Sequence, residues 1–439
     1  MKKIIVIISI IILIALFLMG CKQTQAPADT QSQEVKTNQK GSITEDSEVQ
    51  EISVLVFETA NLTQEFWDDI FNSFETANAS IKVEKQVYPD AKWDDYQKIL
   101  NVTGQLPDVM LEGLKDLKKI DGVLTEIPED IVSLFKDEYV EKINDKVYTV
   151  YPVMQIKGNL YYNKNLFEKA GIMNAPKTFE EFVSNCEALK GAGIVPLVTG
   201  GPEKPWMTGM LWSETMITAG MSTVSSNYMD SFINGSLKWN GPEFKKTLTD
   251  WKQLVDAGYY HKGSFSFSYA QACDEFKSGN VAMICNGSWF TKDLDSSDLG
   301  FEVGYMPLPY PNELNYFSSA MSQPIAVSNQ SENKEAAFAF VKFLIENDEV
   351  YKKYLETDGS FPTRKKEIEL NITETQQKLL DATKDMVASQ NLIHQSGDWA
   401  LPAGIKDVIL SVGKNVFSGG DVDKELDYLE KMYREVQDN

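Results

Sequence analysis

The sequence predicts an α/β protein with two domains, and two observations support this. The first is a strand–helix–strand unit. It has an apolar run at 52–57 typical of a buried parallel strand, a helix with one apolar stripe at 66–74, and an alternating strand at 81–87. The second is length, because the roughly 390 residues that follow an N-terminal leader and a polar tether exceed what one hydrophobic core usually supports.

Two acidic residues directly follow predicted strands of this first region. Glu58 comes after the strand at 52–57, and Glu112 comes after a further strand at 108–111. The loops at the carboxyl ends of parallel strands gather on the ligand side of a sheet, so both side chains are candidates for ligand binding. A solvated loop charge is an equally good interpretation of each.

The N-terminus has the pattern of a secretory leader. It begins Met1-Lys2-Lys3, continues as an apolar run over 4–19 and reaches Gly20-Cys21. The junction resembles a bacterial lipobox, although Met19 is bulkier than the usual residue, and it predicts cleavage before Cys21 and lipidation of its sulfur. An uncleaved membrane anchor is the alternative, because the apolar run is close to the length of a spanning helix. Residues 22–50 are polar and are predicted to form a flexible tether.

Charge and cysteine content limit the possible partners. The net charge of −22 becomes −24 once Lys2 and Lys3 are removed with the leader, which argues against nucleic acid and anionic lipid surfaces and favours a neutral or cationic ligand. With Cys21 lipidated, the odd set of Cys186, Cys273 and Cys285 cannot form a paired framework, and we expect three buried free thiols.

The stretch 158–182 combines several local signals. An aromatic strand at 159–162 leads to a short helix, for which Asn165 is the predicted N-cap and Gly171 the C′ glycine. Thr178 and Glu181 then form the pattern of a capping box at the start of a second helix. The order YNK, LF, AG, P, T, EEF resembles the signature of extracellular solute-binding proteins of bacterial ABC importers (family 1, the carbohydrate-binding group that includes maltose-binding protein).

That resemblance implies a periplasmic-binding-protein-like α/β fold, with two α/β lobes joined by a multi-strand hinge and the ligand cleft between them. It divides the chain into a lipoprotein signal peptide (1–20), a tether (21–50), a first lobe (51–156 and 321–366) and a second lobe (157–320 and 367–439). The implied function is that of a lipid-anchored, monomeric receptor that passes a sugar or oligosaccharide to ABC permease subunits, without a cofactor.

A second signature appears at 276–289, where FKSGNVAMICNGSW resembles the family pattern "F..G.AAM...G.W". The resemblance implies that Trp289 stacks on sugar, with Ser288 beside it. Residues 145–153 resemble the strand that leads to the hinge and place Tyr151 near it. Trp206 and Trp212 are expected around a turn-rich entrance, and Asp398-Trp399 matches a further sugar-facing position more loosely.

A sugar presents hydroxyl groups and flat C–H patches, so aromatic faces beside carboxylates suit it. On this ground Trp289, Trp206 and Trp399 are the aromatic candidates, and Glu58, Glu112 and Asp398 are the acceptor candidates.

Other classes of protein remain open from the sequence. The sequence is also compatible with a surface carbohydrate-active enzyme that uses a pair of carboxylates, and with a sensor that presents ligand to a membrane kinase. His261 and His394 lie in unrelated contexts and form neither a metal site nor a triad. The acidic run Asp293, Asp295 and Asp298 lacks the glycine and distal glutamate of a calcium loop, and we interpret it as a solvated turn.

Overall fold

A computed structural model describes residues 49–437, except 90–92, 202–204, 225–227, 313–314, 391 and 395–400. The predicted leader and tether, with Cys21, lie outside the described residues, and so do the candidates Asp398 and Trp399. Within the described part, no helix combines the length and the apolar character needed to cross a membrane.

The described strands and helices alternate along most of the chain. The strands are β1 (Gln50–Val56), β2 (Ile81–Val87), β3 (Val109–Leu111), β4 (Val153–Ile156), β5 (Asn159–Asn163), β6 (Val195–Val198), β7 (Val281–Asn286), β8 (Val303–Met306), β9 (Tyr316–Ser322), β10 (Ile325–Val327), β11 (Phe361–Pro362) and β12 (Val387–Gln390). The first eight helices are α1 (Gln64–Ala77), α2 (Trp93–Thr103), α3 (Glu129–Val132), α4 (Lys164–Lys169), α5 (Phe179–Gly191), α6 (Pro205–Thr208), α7 (Ile217–Ser222) and α8 (Tyr228–Ile233). They are followed by α9 (Pro242–Asp256), α10 (Tyr269–Lys277), α11 (Phe290–Asp295), α12 (Lys334–Glu346), α13 (Asp348–Asp358), α14 (Glu374–Thr383), α15 (Ile405–Phe417) and α16 (Val422–Gln437).

The first sheet has the strand order β10-β3-β1-β2, in which β1 is parallel to both of its neighbours. Helix α1 buries the predicted apolar stripe against it, and the Trp67 indole N–H donates to the Phe57 carbonyl oxygen (2.7 Å). The βαβ prediction is therefore confirmed. Its physical basis is that an amphipathic helix must bury its apolar face against a neighbouring sheet.

The third sheet has the order β6-β7-β5-β8 and supports a separate hydrophobic core. Trp212 lies in this core, fully buried, in a π-helical turn (Leu211–Met216), and its indole N–H donates to the Thr247 hydroxyl (3.1 Å). Its expected place at an entrance is therefore wrong, because a side chain with no solvent exposure cannot line an entrance. Cys186, Cys273 and Cys285 are buried free thiols, as predicted.

The second sheet has the strand order β11-β4-β9-β12, and the chain passes from it into each of the other two sheets. Its strand β4 runs into β5 of the third sheet through Lys157 and Gly158, and its strand β9 runs into β10 of the first sheet. Gly158 has φ of +68°, and a Cβ atom there would lie 2.5 Å from the Thr215 hydroxyl oxygen. Only glycine fits this connection without rearrangement.

Some predicted boundaries are corrected by local hydrogen bonds. The N-cap of α4 is Asn163, whose side chain accepts from the Leu166 N–H (3.1 Å), and not Asn165. The Thr178 side chain caps α5 as expected, but the Glu181 carboxylate accepts from the backbone of Lys177 instead of closing the box. Helical spacing predicts a helix over about 374–390, but its last part is the strand β12, which pairs in parallel with β9.

Candidate ligand-binding cleft

An aromatic cluster stands at the end of β7. Trp289 and Trp206 are both partly buried and meet edge to face, with ring centroids 6.0 Å apart. The ring centroids of Tyr269 and Trp206 lie 5.7 Å apart, and the Tyr269 hydroxyl accepts from the Trp289 indole N–H (3.0 Å). This contact fixes the orientation of the Trp289 ring, which leaves a flat apolar surface of defined position.

The loop that carries Trp289 is held by its neighbours on both sides. The Ser288 backbone N–H donates to the Ile156 carbonyl at the end of β4 (2.8 Å), and the Tyr161 hydroxyl donates to the Gly287 carbonyl (2.7 Å). The Trp289 ring folds back over Gly287, where a Cβ atom would lie 2.1 Å from the ring. Glycine at position 287 is thus required for the ring to occupy this place.

Lys157 lies on the indole. Its ammonium nitrogen is 5.0 Å from the centroid of the Trp289 ring and donates to the Gln155 side-chain oxygen (3.3 Å). Burial lowers the pKa of Lys157, and Lys406 adds to this effect, against the attraction of Glu214, Glu112 and Asp358. The connection between β4 and β5 therefore brings a partly buried cation to the aromatic surface.

A chain of hydrogen bonds runs from Lys157 to Glu112. The Gln155 amide donates to Asp358 at the end of α13 (2.9 Å), and the Gln323 side chain also hydrogen-bonds that carboxylate. The Gln323 backbone N–H in turn donates to the Glu112 carboxylate (3.1 Å). Glu112 and Gln323 have φ of 64° and 57°, a left-handed conformation that is unfavourable for residues other than glycine and that is concentrated at functional sites.

Burial raises the pKa of Glu112 to about 7, although Lys157 opposes the shift. Two side-chain atoms of this region are buried without a hydrogen-bond partner within the described residues, namely the Gln323 side-chain oxygen and the Ser288 hydroxyl. Buried polar atoms are normally paired, so unpaired ones beside a polar network indicate a place for ligand or water.

A second polar chain joins α15, the π-helical turn and β9. The His394 Nε2 atom lies 2.7 Å from the Glu214 carboxylate, its Nδ1 atom lies 3.4 Å from the Lys406 ammonium, and the Ser318 hydroxyl donates to Glu214 (3.2 Å). Burial lowers the pKa of His394, with Lys406 and Lys157 adding to the shift. Burial would raise the pKa of Glu214, but the charge and hydrogen bond of His394 outweigh it and hold the pKa low.

Two further hydrogen bonds link the loops of the first sheet to the side of the third. The Asn61 side-chain amide, after β1, donates to the Trp289 carbonyl (3.1 Å). The Lys119 ammonium, which follows β3, donates to the Leu401 carbonyl just before α15 (2.6 Å). The segment after β1 therefore reaches the aromatic cluster, and the segment after β3 reaches the residues before α15.

Comparison with known families decides what kind of site this is. Residues 59–351 match the family model described as bacterial extracellular solute-binding protein, which covers more than half of the chain. The chain belongs to this family.

Individual relatives agree with the family. This solute-binding protein is 22% identical over 334 residues to a binding protein of Brucella abortus, an alignment that covers 73% of this chain and 78% of the relative. A solved chitin oligosaccharide binding protein superimposes with a TM-score of 0.76 at 21% identity and covers 89% of this chain and 99% of its own. RafE in complex with raffinose gives a TM-score of 0.71 at 22% identity, with 88% and 99% covered.

The comparisons confirm the predicted fold, a two-lobed α/β solute-binding protein. They also confirm the predicted family and the role that belongs to it, which is to bind a solute outside the cell and to deliver it to an ABC permease. The family consists of binding proteins rather than enzymes.

The predicted site residues lie in different environments. Trp206 and Ser288 lie beside Trp289, whose ring contacts Lys157, and the hydrogen-bond chain from Lys157 ends at Glu112. Glu58 is exposed on the loop after β1. As ligand contacts all of them stay predictions.

Tyr151 lies in a separate buried cluster. Its hydroxyl donates to the Glu141 carboxylate (2.6 Å) and accepts from the Lys118 ammonium (3.0 Å). Its predicted contact with ligand also stays a prediction, although these hydrogen bonds give its side chain a structural partner.

Sequence reasoning missed Lys157, Gln155, Gln323, Glu214 and His394. The available signal was the position of Lys157 beside a glycine between two predicted strands, which is typical of a connection that approaches a ligand. Elsewhere in the described ranges no group of three His, Cys, Asp or Glu side chains is arranged to hold a metal ion. Asp293 is paired with Lys277 (2.8 Å).

Proposed function

We propose that this protein is a lipid-anchored extracellular receptor that binds a sugar or oligosaccharide in a cleft between its lobes and delivers it to ABC permease subunits. The observation that carries the proposal is the Trp289 ring, whose orientation is fixed by its hydrogen bond to Tyr269 and which carries the Lys157 ammonium, the first group of a chain of amides and carboxylates. Two structural neighbours, a chitin oligosaccharide binding protein and RafE in complex with raffinose, support this class of ligand.

The physical basis is a match of surfaces. An indole laid on a pyranose ring covers its C–H face, while hydroxyl groups at the rim both donate and accept hydrogen bonds. Glu112 and the unpaired Gln323 oxygen can accept, and Lys157 can donate. Mixed donors and acceptors around one aromatic face suit a polyhydroxylated ring better than a wholly apolar ligand.

We further propose residues 51–156 and 321–366 as the first lobe and residues 157–320 and 367–439 as the second. The chain would cross between them near 154–158, 317–322 and 365–370. The connection at Lys157 and Gly158 supports the first crossing, and the passage from β9 to β10 supports the second. Closure of two lobes about such strands is a common way to bury a ligand.

For the anchor, we propose cleavage before Cys21 and lipidation of its sulfur. Wild-type protein expressed in a bacterial host should incorporate labelled fatty acid, and Cys21→Ala should not. A variant with Cys186→Ala, whose thiol is buried in the third-sheet core, is the control that should still be labelled. Continued labelling of Cys21→Ala would contradict the proposal.

The binding proposal is tested by a thermal-shift screen of the purified full chain in detergent against a panel of glycans. A ligand at a hundred times its dissociation constant adds about 2.7 kcal/mol of stability, which is a measurable shift in Tm. Solution scattering with the best glycan should show compaction. The absence of any stabilising glycan, or the appearance of cleaved products at enzyme-like rates, would overturn the proposal.

A further inference from the structure

The Lys157 ammonium has few groups near it that compensate its positive charge. Its ammonium has one hydrogen-bond acceptor, the Gln155 oxygen at 3.3 Å, and one aromatic face, that of Trp289. Among the residues that the structure describes, no carboxylate forms an ion pair with it. A partly buried ammonium with unused donors is costly, because the protein does not replace the hydration that it has lost.

The carboxylates that surround Lys157 are already committed to other donors. Glu214 accepts from the Ser318 hydroxyl and lies against His394, and Asp358 accepts from Gln155 and Ser360.

Glu112, the third of these carboxylates, accepts from the Gln323 backbone N–H, and burial raises its pKa. These groups moderate the positive potential at Lys157 without forming a contact with it.

Other donors near Lys157 are also underused. Asn159 lines the same small cavity as Lys157, and its side-chain nitrogen is buried with no acceptor in the described part of the chain. Lys406 contacts the His394 ring at 3.4 Å and forms no ion pair with a described carboxylate. The groups near Lys157 that have unused hydrogen-bonding capacity are thus mostly donors, and the Gln323 side-chain oxygen is an unpaired acceptor.

We propose that Lys157 makes the cleft selective for a saccharide that carries an anionic oxygen group, either a carboxylate or a phosphate. The sugar ring lies on Trp289, and the ammonium leaves the indole face to contact the anionic group. This inference rests on the proposed function, since it names the class of sugar. Charge-assisted hydrogen bonds to an ammonium are stronger than those between neutral groups, so they provide selectivity.

The net charge of −22 does not oppose this assignment. Overall charge acts on long-range approach and is screened by salt, whereas selectivity depends on the groups that touch the ligand. At contact distance, the side chain beside Trp289 is the cation Lys157.

The test compares matched ligands by calorimetric titration of the full chain. Galacturonic acid oligosaccharides are set against their methyl esters, which have nearly the same size without the charge, and hexose 6-phosphates are set against hexoses. One acidic form should bind on the order of tenfold to a hundredfold tighter than its neutral partner. The uronate and phosphate arms show which anionic group is used.

Variants locate the effect. Lys157→Met should abolish the preference for the acidic form, and Lys157→Arg should retain part of it. The control is Lys246→Met, which removes another lysine that lies over an aromatic ring, Tyr310 at 6.0 Å, but on the exposed surface. It should keep the preference unchanged.

The outcomes separate the two proposals. Neutral saccharides that bind as tightly as the acidic forms, or an acidic preference that survives in Lys157→Met, would overturn this inference and leave the proposed function intact. If no saccharide of either kind binds, both fall. The wild-type comparison of ester with acid decides the matter even if Lys157→Met fails to fold.

Discussion

Lys118 and Lys157 are two enclosed lysines with opposite surroundings. The Lys118 ammonium contacts both oxygens of Glu141 at 2.7 and 2.8 Å and the Tyr151 hydroxyl at 3.0 Å. Burial would lower its pKa, but Tyr151 and Glu141 outweigh burial and raise it. Burial prevails at Lys157, whose pKa is lowered. A buried lysine with complete ion pairing stabilises the fold, whereas one without it is available to a ligand.

The largest expected effect is on the paired lysine. Lys118→Met removes the cation that contacts both oxygens of the Glu141 carboxylate, whose side chain is almost fully enclosed. Breaking a buried ion pair in this way costs about 3 to 5 kcal/mol of unfolding free energy. Denaturant unfolding of the variant measures it. A loss below about 1 kcal/mol would show that the two lysines do not differ in the way described.

Two tryptophans should differ as the two lysines do, since Trp289 should contribute to binding and Trp212 to stability. Trp289→Ala should weaken binding of the identified saccharide by about 2 kcal/mol or more, roughly thirtyfold, because it removes the stacking surface. Trp212→Ala, the buried control, should instead cost about 3 to 5 kcal/mol of stability. Calorimetric titration and unfolding of both variants test this. Normal binding by Trp289→Ala would refute the assignment of that ring to the ligand.

The stability of the fold should depend on pH because of His394, which lies in the polar chain with Glu214 and Lys406. Because the pKa of His394 is lowered in the folded protein, the unfolded chain takes up a proton first as the pH falls below about 6.5, and stability is lost through that window. Relative to His394→Gln, the wild type should lose on the order of 1 to 2 kcal/mol between pH 7.5 and pH 5.

Unfolding curves at both pH values measure this difference. The raised pKa of Glu112 has the opposite sign, but it cancels because both proteins contain Glu112. Parallel pH profiles for wild type and His394→Gln would contradict the assigned direction.

The smallest effect is expected at Lys157 itself. Lys157→Met should change the unfolding free energy by no more than about 1 kcal/mol, because the lost attraction to the surrounding carboxylates is offset by the removal of a buried charge. Denaturant unfolding at pH 7 is the measurement. A loss above 3 kcal/mol would place Lys157 in the same structural class as Lys118.

Local pattern alone determined much of the fold. The stripe of Phe66, Trp67, Ile70, Phe71 and Phe74 predicted α1 and its buried face, and alternation predicted the bounds of β2. The Asn-Gly-Ser-Trp sequence after β7 also indicated a presented indole. These features are local, because side chains a few residues apart share a face of one helix or strand.

The tertiary structure alone decided the polar half of the cleft. Lys157 and Gln155 are two residues apart, but Asp358, Gln323 and Glu112 come from distant parts of the chain, and no short-range period connects them to Lys157. The same holds for Tyr151, whose partners Lys118 and Glu141 come from other segments, and for Trp212, whose burial depends on helices that follow it. Whether a buried charge is paired depends on which side chains the fold brings within hydrogen-bond distance, and sequence spacing does not encode that distance.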